Sequence, residues 1–84
     1  MKLVFSSNAW SEYLEWQQSD KKILQRINDL IKDARRNPTT GLGKPKPLKH
    51  ALKGYWSRRI TEERRMIYRI HKESLQIVQL KYHY

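Results

Sequence analysis

The sequence predicts an α+β fold: two N-terminal helices packed on one face of a small, mainly antiparallel sheet, in the order βααβββ. Three observations carry this. Ile23, Ile27, Leu30, Ile31 and Ala34 recur at i, i+4, i+7, i+8 and i+11, the strongest helical periodicity in the chain. From Tyr55 onward the period changes to two, with Met66, Tyr68 and Ile70 alternating with Arg65, Ile67 and Arg69. Finally, the helical stretches precede the run of strands, which therefore reads as a meander laid against them.

Each element has its own signal. Lys2 to Phe5 is a short apolar run, read as a strand. Ser6, Ser7 and Asn8 are three good helix N-caps in a row. Trp10, Tyr13 and Leu14 then form a helix face, and this helix is expected to stop near Gln18. Ser19-Asp20 caps the second helix and Asn37-Pro38 ends it. At ~1.5 Å per residue that helix is about 25 Å long, enough to cover a small sheet. Thr39 to Leu52, with two Gly and two Pro, is expected to be a loop and not an element. Its lysines Lys44, Lys46 and Lys49 are restrained by the prolines. Two strands joined by Thr61-Glu62-Glu63-Arg64 follow. After a turn at His71 to Ser74, Leu75 to Tyr84 forms the last strand. Val78, Leu80 and Tyr82 are expected on one face of it, and Gln79, Lys81 and His83 on the other.

Eighty-four residues suffice for one domain, expected to span 1–84. A chain of this length buries roughly 60% of its unfolded surface, so its three Trp and five Tyr supply bulk to a small core. Residues 1–37 hold seven Lys or Arg against five Asp or Glu, net +2, whereas residues 38–84 hold eleven against three, net +8. Such polarity points to a nucleic-acid or other acidic partner. A membrane surface is not expected, because the excess charge lies in loop and strands and not on a basic amphipathic helix. There is no cysteine, which removes disulfides, thiolate metal sites and cysteine nucleophiles and fits a reducing, cytoplasmic setting. No apolar run approaches a membrane span, and the first residues are too short an apolar stretch for a signal peptide. The three histidines are scattered, so no metal site or other cofactor is expected.

The functional signal is concentrated in Tyr55 to Arg69, YWSRRITEERRMIYR. Arg58, Arg59, Arg64, Arg65 and Arg69 are interleaved there with apolar and aromatic residues. Arginine offers a fixed fork of donors that fits phosphate oxygens. The bland alternative is a solvated strand face charged for solubility. The open face of the sheet is expected to carry Arg59, Arg65, Lys81 and His83, with the Lys44–Lys49 loop at its edge. RNA cleavage there needs a base for the 2′-OH, an acid for the leaving 5′-oxygen, and cations for the charged transition state. Arginine serves the last role, and the imidazole of His83 is a candidate acid or base. His50 and His71 read as surface residues.

GKPKPLKHALKGYWSRRITEERRMIYRI, followed by a terminal KYHY, resembles the YoeB toxins of the RelE/ParE-like superfamily. The KLVF strand, the helix ending WQ and the helix DLIKDARRNP fit as well, so the resemblance covers essentially the whole chain. It implies a fold like that of small microbial ribonucleases, and a type II toxin that cleaves mRNA in the ribosomal A site. It also implies silencing by an acidic YefM-like antitoxin, and a homodimer is one assembly open to it. Carried over by motif, Arg65 stabilises phosphate charge, and His83 and Tyr84 serve acid chemistry and substrate binding. Lys49 and Arg59 contact phosphate, with Lys44 and Arg58 beside them. The family's general base is a glutamate in the GKPxPLK loop, where this sequence has Lys46. Two readings follow: an endoribonuclease attenuated by Lys46, or a catalytically crippled protein that binds RNA, the ribosome or the antitoxin. A ParE-type toxin aimed at gyrase is a weaker third, since the loop and the terminal His-Tyr follow the ribonuclease branch.

Overall fold

The computed structural model of the chain describes residues 1–83. A strand β1 (Lys2–Phe5) leads into helices α1 (Ser7–Ser19) and α2 (Lys21–Arg36). Strands β2 (Lys46–Pro47), β3 (Trp56–Arg59), β4 (Arg64–His71) and β5 (Ser74–His83) follow, with a single 3₁₀ turn at His50–Leu52 between β2 and β3. The expectation of two helices on one face of a mainly antiparallel sheet holds. The stretch expected to be loop only, 39–52, nevertheless contributes β2, which pairs antiparallel with β3. Two residues, one of them a proline, are too few to show a period in sequence.

The sheet order is β1-β5-β4-β3-β2, antiparallel except that β1 runs parallel to β5. Local chemistry sets the helix bounds. Ser6 caps α1, its Oγ accepting from the Ala9 N–H at 3.0 Å and donating to the Val78 carbonyl at 3.0 Å. Asp20 ends α1 and starts α2, its Oδ1 accepting from the N–H groups of Lys22 and Ile23. The predicted stripe of α2 is the core stripe. Ile27, Leu30, Ile31 and Ala34 are buried against Met66, Tyr68, Leu75, Ile77 and Leu80.

The last strand departs from simple alternation. Ile67 pairs with Gln79 and Tyr68 with Ile77, and Arg65 with Tyr82. Thus β5 spends an extra residue at each of two steps, and its side-chain phase slips twice. The backbone groups this frees are taken up by α1. Trp16 Nε1 donates to the Leu80 carbonyl at 2.9 Å, and Glu12 Oε1 accepts from the Leu80 N–H at 2.7 Å. The slip corrects two expectations. Lys81 does not join the open face: it pairs with Glu15 at 2.7 Å and lies 4.8 Å over the Trp16 ring, both on α1. Tyr82, expected beside Leu80 on the core face, instead stands opposite Arg65.

Candidate functional site

Directly opposed residues of antiparallel strands share a face, so the register assembles the open side of the sheet in rows. One row is Lys46, Ser57, Ile67 and Gln79; the next is Arg59, Arg65 and Tyr82. Their neighbours in sequence, Trp56, Arg58, Met66 and Tyr68, point to the helices. No helix covers the open side, yet Ser57 and Ile67 are buried there. The long stems of the flanking arginines can shield such residues. Arg65 is itself 93% buried, and its Nη1 lies 3.5 Å from Ser57 Oγ. That contact aims its guanidinium along the sheet toward Lys46. The Nε of Arg59 is buried and lacks a hydrogen-bond partner among the described residues. A buried donor left unsatisfied costs free energy until an acceptor arrives.

The loop entering β2 places the lysines. The Arg59 N–H donates to the Gly43 carbonyl at 2.7 Å, which sets exposed Lys44 beside Arg59. Lys46 is exposed and opposite Ser57. Lys49 is exposed and lies beyond the Tyr55 end of β3, so Lys46 stands between it and the arginine row. His83 pairs with Arg64 and not with Arg65, and alternation turns it from the arginine row. Its ring is largely exposed, with Nε2 3.5 Å from Glu63 Oε2. Tyr84 lies outside the described residues. The structure thus brings Lys44, Lys46, Arg59 and Arg65 together, with Lys49 and His83 at the margins.

Arg58 is a correction. Expected to meet phosphate, it is fully buried on the helix side. All five of its N–H groups are engaged: Nε with the Tyr68 hydroxyl, Nη1 with Asp33 Oδ2 and the Leu42 carbonyl, Nη2 with the carbonyls of Asn37 and Thr40. Tyr68 donates onward to the Pro38 carbonyl at 2.6 Å. Asp33 also accepts from the Leu42 N–H, and it presses so close to Gly41, at φ +108°, that a Cβ there would meet its Oδ2. The Arg58 guanidinium holds the Asp33 carboxyl below its ordinary range, and burial pushes the Tyr68 hydroxyl up. This hub folds residues 37–43 onto α2 and so delivers Lys44 and Lys46 to the sheet edge. The signal was present in the strand period, since Arg58 lies between Trp56 and Ile60 on the apolar side. Sequence reasoning passed over Ser57 as a site residue, although it alternates with Arg59. It also passed over Tyr82, whose face no periodicity could give.

Two helices on one face of a small, mainly antiparallel sheet place the chain in a class of compact α+β toxins. Its solved relatives include a YoeB/ParE toxin from Agrobacterium tumefaciens, matched over the full length of both chains at 48% identity with a TM-score of 0.97. Another is the toxin in a heterotetrameric YoeB–YefM toxin–antitoxin complex from Staphylococcus aureus. It is 42% identical with a TM-score of 0.91, over 100% of this chain and 98% of that one. Toxin YoeB of Escherichia coli (strain K12) is 56% identical over 84 residues, all of both chains. Residues 5–84 match the model of the YoeB-like toxin of bacterial type II toxin–antitoxin systems. The chain belongs to the YoeB-like toxin family. No helix is long and apolar enough to cross a membrane among the described residues.

Proposed function

We propose that this protein is a ribosome-dependent mRNA endoribonuclease of the bacterial cytoplasm, attenuated by Lys46, and that an acidic YefM-like antitoxin silences it. The observation that supports this best is the row of Arg59 and Arg65 on the uncovered sheet face, with an unsatisfied buried Nε on Arg59. Preorganised cations on a face shielded from water suit a phosphorane-like transition state, because they need no reorganisation as charge develops. In this reading the 2′-OH attacks the adjacent phosphorus, the P–O5′ bond breaks, and the 5′-oxygen leaves with a proton. The products are a 2′,3′-cyclic phosphate and a 5′-hydroxyl. Arg65 and Arg59 hold the equatorial oxygens, and Lys44 and Lys49 guide the flanking phosphates. His83, at the margin of the row and 3.5 Å from Glu63, is assigned proton transfer on the family pattern. Tyr84 is assigned to substrate binding on the family pattern, and Tyr82 offers a ring beside Arg65.

Lys46 decides how much cleavage remains. A protonated lysine accepts no proton, so the base contribution, roughly 10²–10⁴-fold, is lost while phosphate affinity is kept. This one position also favours a second reading, a catalytically silent protein that occupies RNA or its antitoxin. The S. aureus relative assembles with YefM, and another S. aureus relative is a YoeB dimer. An acidic antitoxin segment laid on residues 44–84, and pairing with a second copy of the chain, are accordingly part of the proposal. Single-turnover cleavage of ribosome-bound message by the parent and by Lys46→Glu, with the product ends identified, tests it. We expect faster cleavage and weaker binding in Lys46→Glu. Equal rates remove the base assignment at position 46, and no cleavage by either form favours the binding-only reading.

A further inference from the structure

Folding gathers a second set of cations that the chain keeps far apart in sequence. Lys32, Arg35 and Arg36 come from the last turns of α2, Lys2 from β1 and Lys72 from the turn between β4 and β5. They line two adjoining clefts that share Met1. Glu73 is the one carboxylate lining either. All five cations are exposed. The ion pairs among the described residues, Arg58–Asp33, Lys81–Glu15 and His83–Glu63, involve none of them. Asp33, one turn before Arg36, has its Oδ2 held by Arg58. Cations in the last turn of a helix stabilise its C-terminal end, which accounts for Arg35 and Arg36 on their own. It does not account for Lys2 and Lys72, which other elements bring to the same corner.

The corner is separate from the open-face row. Arg65 is the second residue of β4 and His71 the last, so the two sites lie about 20 Å apart along the strand at ~3.3 Å per residue. Their chemistry also differs. The open face mixes arginines with Tyr82 and with Tyr55, whose ring lies 5.3 Å from the Arg69 guanidinium. Such mixing suits single strands, whose bases stack on rings. Among the described residues, neither corner cleft has an aromatic lining residue; the apolar ones are Met1, Ile31 and Ile70. A site made of cations without stacking rings reads phosphates and not bases, which is how A-form duplex RNA is held.

We propose that the corner formed by Lys2, Lys32, Arg35, Arg36 and Lys72 is a second RNA site. It grips the phosphate backbone of double-stranded RNA while the open face engages a single strand. This extends the reading of the chain as an RNA-acting toxin, and its test needs no cleavage, so the two fail separately. The probe is a labelled RNA hairpin with a stem of about 16 base pairs, bound at a series of salt concentrations. The parent is compared with Lys32→Gln/Arg36→Gln/Lys72→Gln and with Arg59→Ala. Arg35 is left in place, since its Nη2 donates to the Met1 carbonyl at 2.7 Å. We expect the triple variant, melting as the parent does, to lose roughly tenfold or more in affinity, with a salt slope lower by about two to three. Arg59→Ala should keep most of the hairpin affinity. The proposal is overturned if the triple variant binds like the parent, or if the loss follows Arg59→Ala instead. It is also overturned if the hairpin is ignored while vesicles rich in anionic lipid or an acidic peptide bind the corner.

Discussion

Replacing Arg58 with Met keeps an unbranched apolar stem and removes all five of the donors. Asp33 then keeps a carboxylate with one remaining bond, from the Leu42 N–H, and the carbonyls of Asn37, Thr40 and Leu42 lose their partner. Removing one member of a buried pair costs ~3–5 kcal/mol. The lower end applies here, because the Asp33 side chain is 18% exposed and the three carbonyls belong to surface residues that water reaches. For a domain of this size total stability is ~4–13 kcal/mol. A loss of ~3 kcal/mol therefore removes a quarter or more of it and lowers Tm by roughly 12–24 °C. Calorimetry across pH gives a sharper signature. Asp33 has a folded-state pKa below its ordinary 3.8, so its contribution is present above that pH and lost as pH falls through the lower folded value. The gap between parent and variant should narrow below about pH 4. Tyr68 is raised above 10.0 chiefly by burial, so its contribution is present below pH 10 and lost as pH rises through the higher folded value. That alkaline limb should survive in the variant, since Arg58 only opposes the shift. Amide exchange should quicken at Leu42 and Arg59, whose N–H groups depend on the clamped loop. A Tm drop under about 5 °C, with Leu42 still protected, would refute the hub as the anchor of residues 37–43.

Gly41→Ala places a methyl against Asp33 at φ +108°, and should destabilise by more than ~1 kcal/mol in urea titration. Arg59→Ala should weaken binding of a short single-stranded RNA and reduce its salt slope by about 0.7, measured by anisotropy. His83→Gln should lower ribosome-dependent cleavage roughly 10²–10⁴-fold with an unchanged melting curve, because His83 is exposed at a strand end.

The helical half was legible because its signals are local. The cap of Asp20, the stripe of α2 and the stop at Asn37-Pro38 each depend on residues within a turn or two. The open face was legible in part: Ser57 and Arg59 alternate as expected, and Arg65 joins them by register. The rest depends on distant partners. The strand period puts Arg58 on the apolar side with Trp56 and Ile60, but the partners that make its burial tolerable, Asp33 and Tyr68, lie far away in the chain. Lys81 and Tyr82 exchange sides because β5 bulges, and what stabilises the bulge is α1, more than sixty residues earlier in the chain. The cationic corner escaped the count by halves, since it draws Lys32, Arg35 and Arg36 from the nearly neutral half.

The strand made last lies inside the sheet, between β1, made first, and β4. Until β5 has been synthesised, β1 has no neighbour, Ser6 and Trp16 lack their carbonyl acceptors, and the helices have only part of a surface to cover. Vectorial synthesis therefore cannot finish this molecule piece by piece. The emerging polypeptide holds helices and a hairpin whose shared neighbour is still missing, and β5 joins them. The sheet of this YoeB-like toxin is thus closed only once β5 has emerged.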